Sequence, residues 1–209
     1  MHSFFVFIKI FLYYTLIKGL YMEKFTQEEL LNQRQIIIDL LRSTKRPGIE
    51  TIIKFLDKSK YFFCWGSFRH HKYLGGLAEH SLQVCRIALE ENSGNVSRES
   101  IIIASLLHDL CKVMYEFPIE KEYYGHGSKS VQILEDYLGF KLTDEEWRAI
   151  RFHMGSKSYL RDADTAKEFN IAKTEELWNL IHTSDCLSCG HYPKSMRSTV
   201  KSIMTLFNL

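Results

Sequence analysis

His108 and Asp109 stand side by side in the run IIIASLLHDL, which is apolar on nearly every helical face. Such a run reads as a helix buried on all sides, and a His-Asp pair there is costly unless something compensates it. A bound cation is one compensation, since imidazole and carboxylate together suit borderline divalent metals such as Fe, Mn, Zn, Co or Ni. Lys112 follows four residues after His108, which on a continuing helix places it on the same face one turn further on. A fixed positive charge there repels a cation but welcomes an anion such as phosphate. The plainer alternative is a helix end at which His108 and Lys112 complement the dipole and Asp109 pairs with Lys112. The pair does not stand alone, however. His80 lies on the preceding apolar segment, His126 opens the following one, His153 closes the next, and Asp185 lies within a later one. One imidazole or carboxylate per successive helix is what a metal centre in a bundle core demands.

The elements that must carry these residues read as helices almost throughout. Thr26 with Glu29 forms a capping box ahead of a first helix that ends before Pro47, and Ile49, Ile52, Ile53 and Leu56 mark a second. YFFCW, from Tyr61 to Trp65, reads as an extended connection. A helix with Leu77, Val84, Ile87 and Ala88 on its buried side follows Gly75-Gly76, and Asn92 to Ser97 is a loop. Further helices are expected after the buried one: Ser128 to Leu138, Thr143 (with the capping partner Glu146) to about His153, Thr174 to about Ser188, and Lys194 to Phe207. With no internal repeat and no dividing linker, the expectation is an all-α single-domain helical bundle over residues 22–209.

Residues 1–21 differ from the rest, being almost wholly apolar and aromatic. Lys9 and Lys18 cut them into uncharged runs too short for a spanning helix, and neither a basic leader nor a small-residue cleavage site frames a secretory signal. They read as an extension outside the fold, with membrane association or a packed helix as the alternatives. The 209 residues carry 27 basic and 25 acidic side chains, and without Lys9 and Lys18 the balance is 25 to 25. That neutrality, with no basic groove of interleaved aromatics, disfavours nucleic acid as a ligand. Five irregularly spaced cysteines suit a reducing, cytoplasmic compartment better than a disulfide scaffold.

The ordered set His80, His108-Asp109, Asp185 resembles the signature of the HD superfamily of metal-dependent phosphohydrolases. HKYLGGLAEHSLQV around His80 and ASLLHDLCKV around His108 are similar to that family's two strongest motifs, and the likeness runs from about His71 to Cys189. His126 in GHGSKS and His153 in AIRFHMG resemble the two added histidines of its binuclear branch. The resemblance implies an all-α fold and one or two divalent transition metals. Asp109 would bridge two of them, with His80, His108 and Asp185 completing one site and His126 and His153 the other. It further implies attack of a metal-bridging hydroxide on a phosphate mono- or diester of a small molecule, most plausibly a nucleotide, with Lys112 holding a non-bridging oxygen.

Two readings stay open for Arg151, a solvated surface arginine or a contact to the leaving group. His70 and His71, with Arg69 and Lys72, read either as a surface loop or as a contact for substrate phosphate at the pocket mouth. Cys186 and Cys189, flanked by His182 and His191, suggest a structural zinc, but Asp185 must face inward and one helix serves both poorly. Cys111 is read as core. Met196, Val200, Ile203, Met204 and Phe207 form an amphipathic stripe, either ordinary packing or a homodimer face. The segment between Lys112 and His126 is short, and the GYP-type tripeptide of cyclic-di-GMP phosphodiesterases does not follow His153. Two other function classes use the same residues. One is a mixed-valent iron oxygenase of small polyols or phosphonates, and the other is a non-catalytic nucleotide- or metal-binding sensor.

Overall fold

A computed structural model describes residues 24–67, 69–114, 125–155 and 163–190. The apolar segment 1–21 and the expected helix 194–207 with its stripe lie outside them. Eight α-helices and no strand occur among the described residues: α1 Gln27–Ser43, α2 Ile49–Lys58, α3 Gly76–Glu91, α4 Arg98–Leu107, α5 His126–Gln132, α6 Asp144–Phe152, α7 Ala163–Ala172 and α8 Glu176–Ser188. The all-α expectation holds. None of these helices is long and apolar enough to cross a membrane, and no disulfide links the five cysteines.

Local signals set the boundaries. Thr26 caps α1, its Oγ1 accepting from the Glu29 amide at 3.2 Å while the Glu29 carboxylate accepts from the Thr26 amide at 2.6 Å. The same reciprocal pair, Thr143 and Glu146, opens α6. There Glu146 is fully buried, because it also receives Arg46 Nη1 at 2.6 Å and Ser100 Oγ at 2.8 Å. One carboxylate thus caps α6 and ties it to α4 and to the connection between α1 and α2, so the far end of α6, where His153 sits, has a fixed origin.

Helix α4 is the hub. Every residue from Ile101 to Leu107 is buried, and α1, α3, α6 and α8 all pack on it. It differs from the expected helix in its end. The α-helix closes at Leu107 with His108 as C-cap, and the chain tightens through a turn into a 3₁₀ stretch, Leu110–Met114. The amide of Lys112 bonds to the carbonyl of Asp109 at 3.0 Å, an i to i+3 closure, so Lys112 lies beside Asp109 and not one α-turn beyond His108.

Three smaller differences concern the periphery. YFFCW is a turn and not an extended connection: the amides of Phe63 and Cys64 both bond to the Lys60 carbonyl at 2.8 Å, and Tyr61, Phe62 and Cys64 are buried in the core. Helix α5 starts at His126, two residues before the expected start, and passes into a π-helical turn, Ile133–Tyr137. Helix α7 had no sequence counterpart, since of its side chains only Phe169 and Ala172 are recorded as buried.

Gly127 shows why α5 and α6 meet where they do. A Cβ built at Gly127 would lie 2.5 Å from the carbonyl oxygens of both Ile150 and Arg151, so the first turn of α5 rests directly on the backbone of the last turn of α6. Gly127→Ala is expected to push the two helices apart, costing about 1–3 kcal/mol and weakening metal retention. Thermal melts with metal analysis check this; an unchanged melting point together with full metal content would contradict it.

Candidate metal centre

The six residues expected to bind metal come together at the centre of the bundle. His80 projects from α3, His108 and Asp109 from the end of α4, His126 from the start of α5, His153 from the end of α6, and Asp185 from α8. His80, His108, Asp109, His153 and Asp185 are buried. The Nε2 atoms of His80 and His108 are 3.2 Å apart, and His80 Nε2 lies 3.1 Å from Asp185 Oδ1. On the other side, His126 Nε2 and His153 Nε2 are 2.9 Å apart. Asp109 stands between the two groups. Its Oδ2 faces His108 Nε2 at 3.3 Å and His80 Nε2 at 3.6 Å, while its Oδ1 faces His126 Nε2 at 3.3 Å and His153 Nε2 at 3.7 Å.

Hydrogen bonds behind the rings decide which nitrogen carries the proton. His108 Nδ1 donates to the Ser105 carbonyl at 2.8 Å, and His153 Nδ1 donates to the Ile150 carbonyl at 2.7 Å. His80 Nδ1 donates to Ser188 Oγ at 2.9 Å, because that hydroxyl spends its own proton on Gln83 Oε1, 3.1 Å away. In its neutral form each ring therefore turns a bare Nε2 lone pair inward, the arrangement that outer hydrogen bonds impose on metal-ligating histidines. Lone pairs facing lone pairs at about 3 Å repel one another unless a proton or a cation lies between them, and ligand atoms about 2.1 Å from one ion sit about 3–3.5 Å apart. Asp109 Oδ1, fully buried, receives no hydrogen bond among the described residues. The donor set fits one or two divalent ions.

The charge states agree. Burial alone would raise the Asp109 carboxyl, but Lys112, His108 and His126 outweigh it and hold the group ionised, well below its ordinary value. Burial also opposes ionisation of Asp185, and His80 and His108 override it. His153 is pushed down to about 3, chiefly by burial and then by His108 and His126, which keeps it a neutral ligand. His108 moves the other way: burial disfavours its charge, yet Asp109 and Asp185 raise it. The two carboxylates thus draw in a proton where a cation would neutralise them more fully.

Helix α8 also locks the end of α6. Trp178 Nε1 donates to the Phe152 carbonyl at 2.9 Å, and His182, stacked on the Trp178 ring, donates from Nδ1 to the His153 carbonyl at 2.5 Å. Trp178, His182, Asp185 and Cys189 follow one another at spacings of four, three and four, a single stripe of α8 facing the centre. The sequence reading assigned only Asp185 to this stripe, although the spacing carries the signal.

The remaining candidates are placed as follows. Lys112 Nζ is bonded to Asp109 Oδ2 at the edge of the centre, as in the plainer sequence alternative for this pair. Arg151 lies over the indole of Trp147, 4.7 Å from the ring centroid, and its buried Nε has no hydrogen-bond partner among the described residues. His70 and His71 pack against the His80 ring at centroid distances of 5.1 and 5.2 Å. His70 is held at about 3 by burial, His80 and Lys112, and His71 at about 4 by burial and His80. Among the described residues Cys186 joins no cluster of metal-binding donors, whereas Cys189 does, with His70 and His80.

The family model for the HD domain matches residues 77–177, which include His80, His108, Asp109, His126 and His153; Asp185 follows on α8. Residues 77–177 of the chain thus carry an HD domain. It is similar to a dihydroneopterin 2',3'-cyclic phosphate phosphodiesterase from Methanocaldococcus jannaschii, with 36% identity over 99 residues. That alignment covers 43% of this chain and 37% of the relative, so the chain spans well under half of the relative's length. No solved structure matches the chain.

Proposed function

We propose that this protein hydrolyses a phosphate ester with the help of one or two divalent transition metals, and that its substrate is a small cyclic or linear phosphodiester of a nucleotide- or pterin-like molecule. The observation that carries this reading is the division of Asp109. Each of its oxygens faces its own set of inward lone pairs, Oδ2 facing His80 and His108, Oδ1 facing His126 and His153. Asp185 joins the first set. Ions held there supply Lewis acidity and lower the pKa of a coordinated water.

The chain's own residues do the rest. Ser105, Ile150 and Ser188 fix the ring orientations, so the donors need no rearrangement when the site fills. Lys112 is read as the phosphate-binding cation: Asp109 holds its ammonium at the rim and raises its pKa despite burial, so it stays charged beside the position where negative charge develops. Arg151 and the pair His70–His71 are read as further contacts to the substrate. The relative's activity on a 2',3'-cyclic phosphate supports a diester over a monoester.

Lys112→Gln is expected to lower kcat/KM about 10²–10³-fold while metal content stays the same or rises, because a like charge has been removed beside the ions. A parallel fall in metal content would assign Lys112 a structural role instead. The decisive assay is metal analysis of the purified chain, followed by a panel of cyclic and linear phosphodiesters and nucleotides with manganese or iron. Phosphate-ester hydrolysis that depends on the added metal supports the proposal. Aerobic oxidation of a polyol or phosphonate with bound iron, without hydrolysis of any ester, would overturn it.

A further inference from the structure

The loop between Tyr61 and α3 is held to the bundle unusually closely. The amide of Gly66 bonds to the His71 carbonyl at 2.9 Å, that of Ser67 to the His70 carbonyl at 3.0 Å, and that of Leu77 to the Cys64 carbonyl at 2.9 Å. A Cβ at Gly76 would lie 2.0 Å from the His71 carbonyl oxygen, so the loop backbone rests on the first turn of α3. His71 is held in the left-handed region at φ 51°, a conformation non-glycine residues adopt only when their surroundings enforce it.

This fixed loop sets the tautomer of His70 through a chain of bonds. Gln83 Nε2 donates to Glu79 at 3.1 Å, which turns Gln83 Oε1 toward His71 Nε2 at 3.2 Å. His71 therefore carries its proton on Nε2 and presents a bare Nδ1. His70 Nδ1, 3.0 Å away, must be the donor to it. The Nε2 lone pair of His70 is left pointing at Cys189 Sγ, 3.1 Å distant. Cys189 lies one turn after Asp185, and its sulfur is 3.6 Å from Asp185 Oδ1. A thiol has one proton, while Nε2 and the carboxylate are both acceptors. A zinc-like ion with sulfur at about 2.3 Å and nitrogen or oxygen at about 2.1 Å sets tetrahedral ligand separations of about 3.6 Å; the Cys189–Asp185 contact has this separation and the Cys189–His70 contact, at 3.1 Å, is shorter.

From this geometry we infer a further metal site, formed by His70 Nε2, Cys189 Sγ and Asp185 Oδ1, that abuts the HD centre and shares Asp185 with it. His80 also places a ligand atom within 4.8 Å of His70 and Cys189. The sulfur selects a borderline-soft divalent ion such as Zn(II), Fe(II) or Co(II) over Mg(II) or Mn(II). The ion displaces the thiol proton to solvent, and no electron transfer is involved. An ion held beside Asp185 would let His70 serve the substrate phosphate through a cation and not as a proton donor. In that respect the inference rests on the proposed function; the site itself does not.

The test is titration of Co(II) into the metal-stripped full-length chain. Wild-type protein is expected to develop the near-ultraviolet charge-transfer band of a thiolate bound to cobalt and to hold one cobalt per chain more than Cys189→Ser. His70→Gln, which leaves the cysteine in place, should lose the same equivalent. In both variants the visible absorption of cobalt at the HD centre should persist. Asp109→Asn should show the converse, keeping the thiolate band while losing HD-centre cobalt, so failure of the HD-centre reading is recognisable separately. Absence of the thiolate band in the wild type, or its persistence in Cys189→Ser, overturns the site.

Discussion

Asp109→Asn is expected to lose bound metal and turnover together, with kcat falling about 10³-fold or more. The size follows from what the carboxylate does. It is the one residue whose two oxygens address both halves of the centre, and it neutralises Lys112 at its own edge. An amide keeps the shape but replaces one acceptor oxygen with a donor nitrogen, which cannot face an inward lone pair and a cation at once. Lewis-acid stabilisation is worth several kcal/mol, and about 4 kcal/mol is a factor of roughly 10³. The variant also leaves Lys112 without its counter-charge, which costs stability of about 3–5 kcal/mol when the partner of a buried pair is removed. Metal analysis and circular dichroism must therefore accompany the kinetics. A folded Asp109→Asn that retains turnover would contradict the assignment. Asp185→Asn should be milder, because Asp185 contacts His80 and His108 and leaves the His126–His153 half intact.

Which features were legible in the sequence depends on how local their causes are. Thr26 with Glu29 and Thr143 with Glu146 could be read directly, because a capping box is complete within four residues. The six central donors are legible because they fall on or at the ends of five helices, His108 and Asp109 sharing one, and their order matches a family pattern. The tightening after Leu107 is not, since nothing in HDLCK marks the change from α to 3₁₀; the long-range neighbours of Asp109 lie on α3, α5 and α6. The inward Asp185 argues against a zinc held by Cys186 and Cys189 together, but not against Cys189 alone. Positions i and i+4 share a face, so an inward Asp185 brings the sulfur inward. The fixing of His70 by Gly66, Gly76, Gln83 and Glu79 depends on contacts that sequence spacing does not encode.

Metal binding is expected to stabilise the fold strongly as well as to activate it. At the hub of the bundle five buried groups, His80, His108, Asp109, His153 and Asp185, turn acceptor atoms toward one another. The folded protein bears that cost, while the unfolded chain hydrates the same groups freely. An ion that binds only the folded state adds about 4 kcal/mol at a thousandfold excess over its dissociation constant. For a chain of this size each kcal/mol moves the melting temperature about 2–4 °C, so saturation with zinc, iron or manganese should raise it by roughly 10 °C over the chelator-treated protein. Asp109→Asn should show little of this rise, while Lys112→Gln should show all of it. Differential scanning calorimetry across a metal titration is the measurement. A wild-type melting temperature indifferent to both chelator and metal would mean that the inward lone pairs are satisfied without an ion, and the reading of the centre would fail with it.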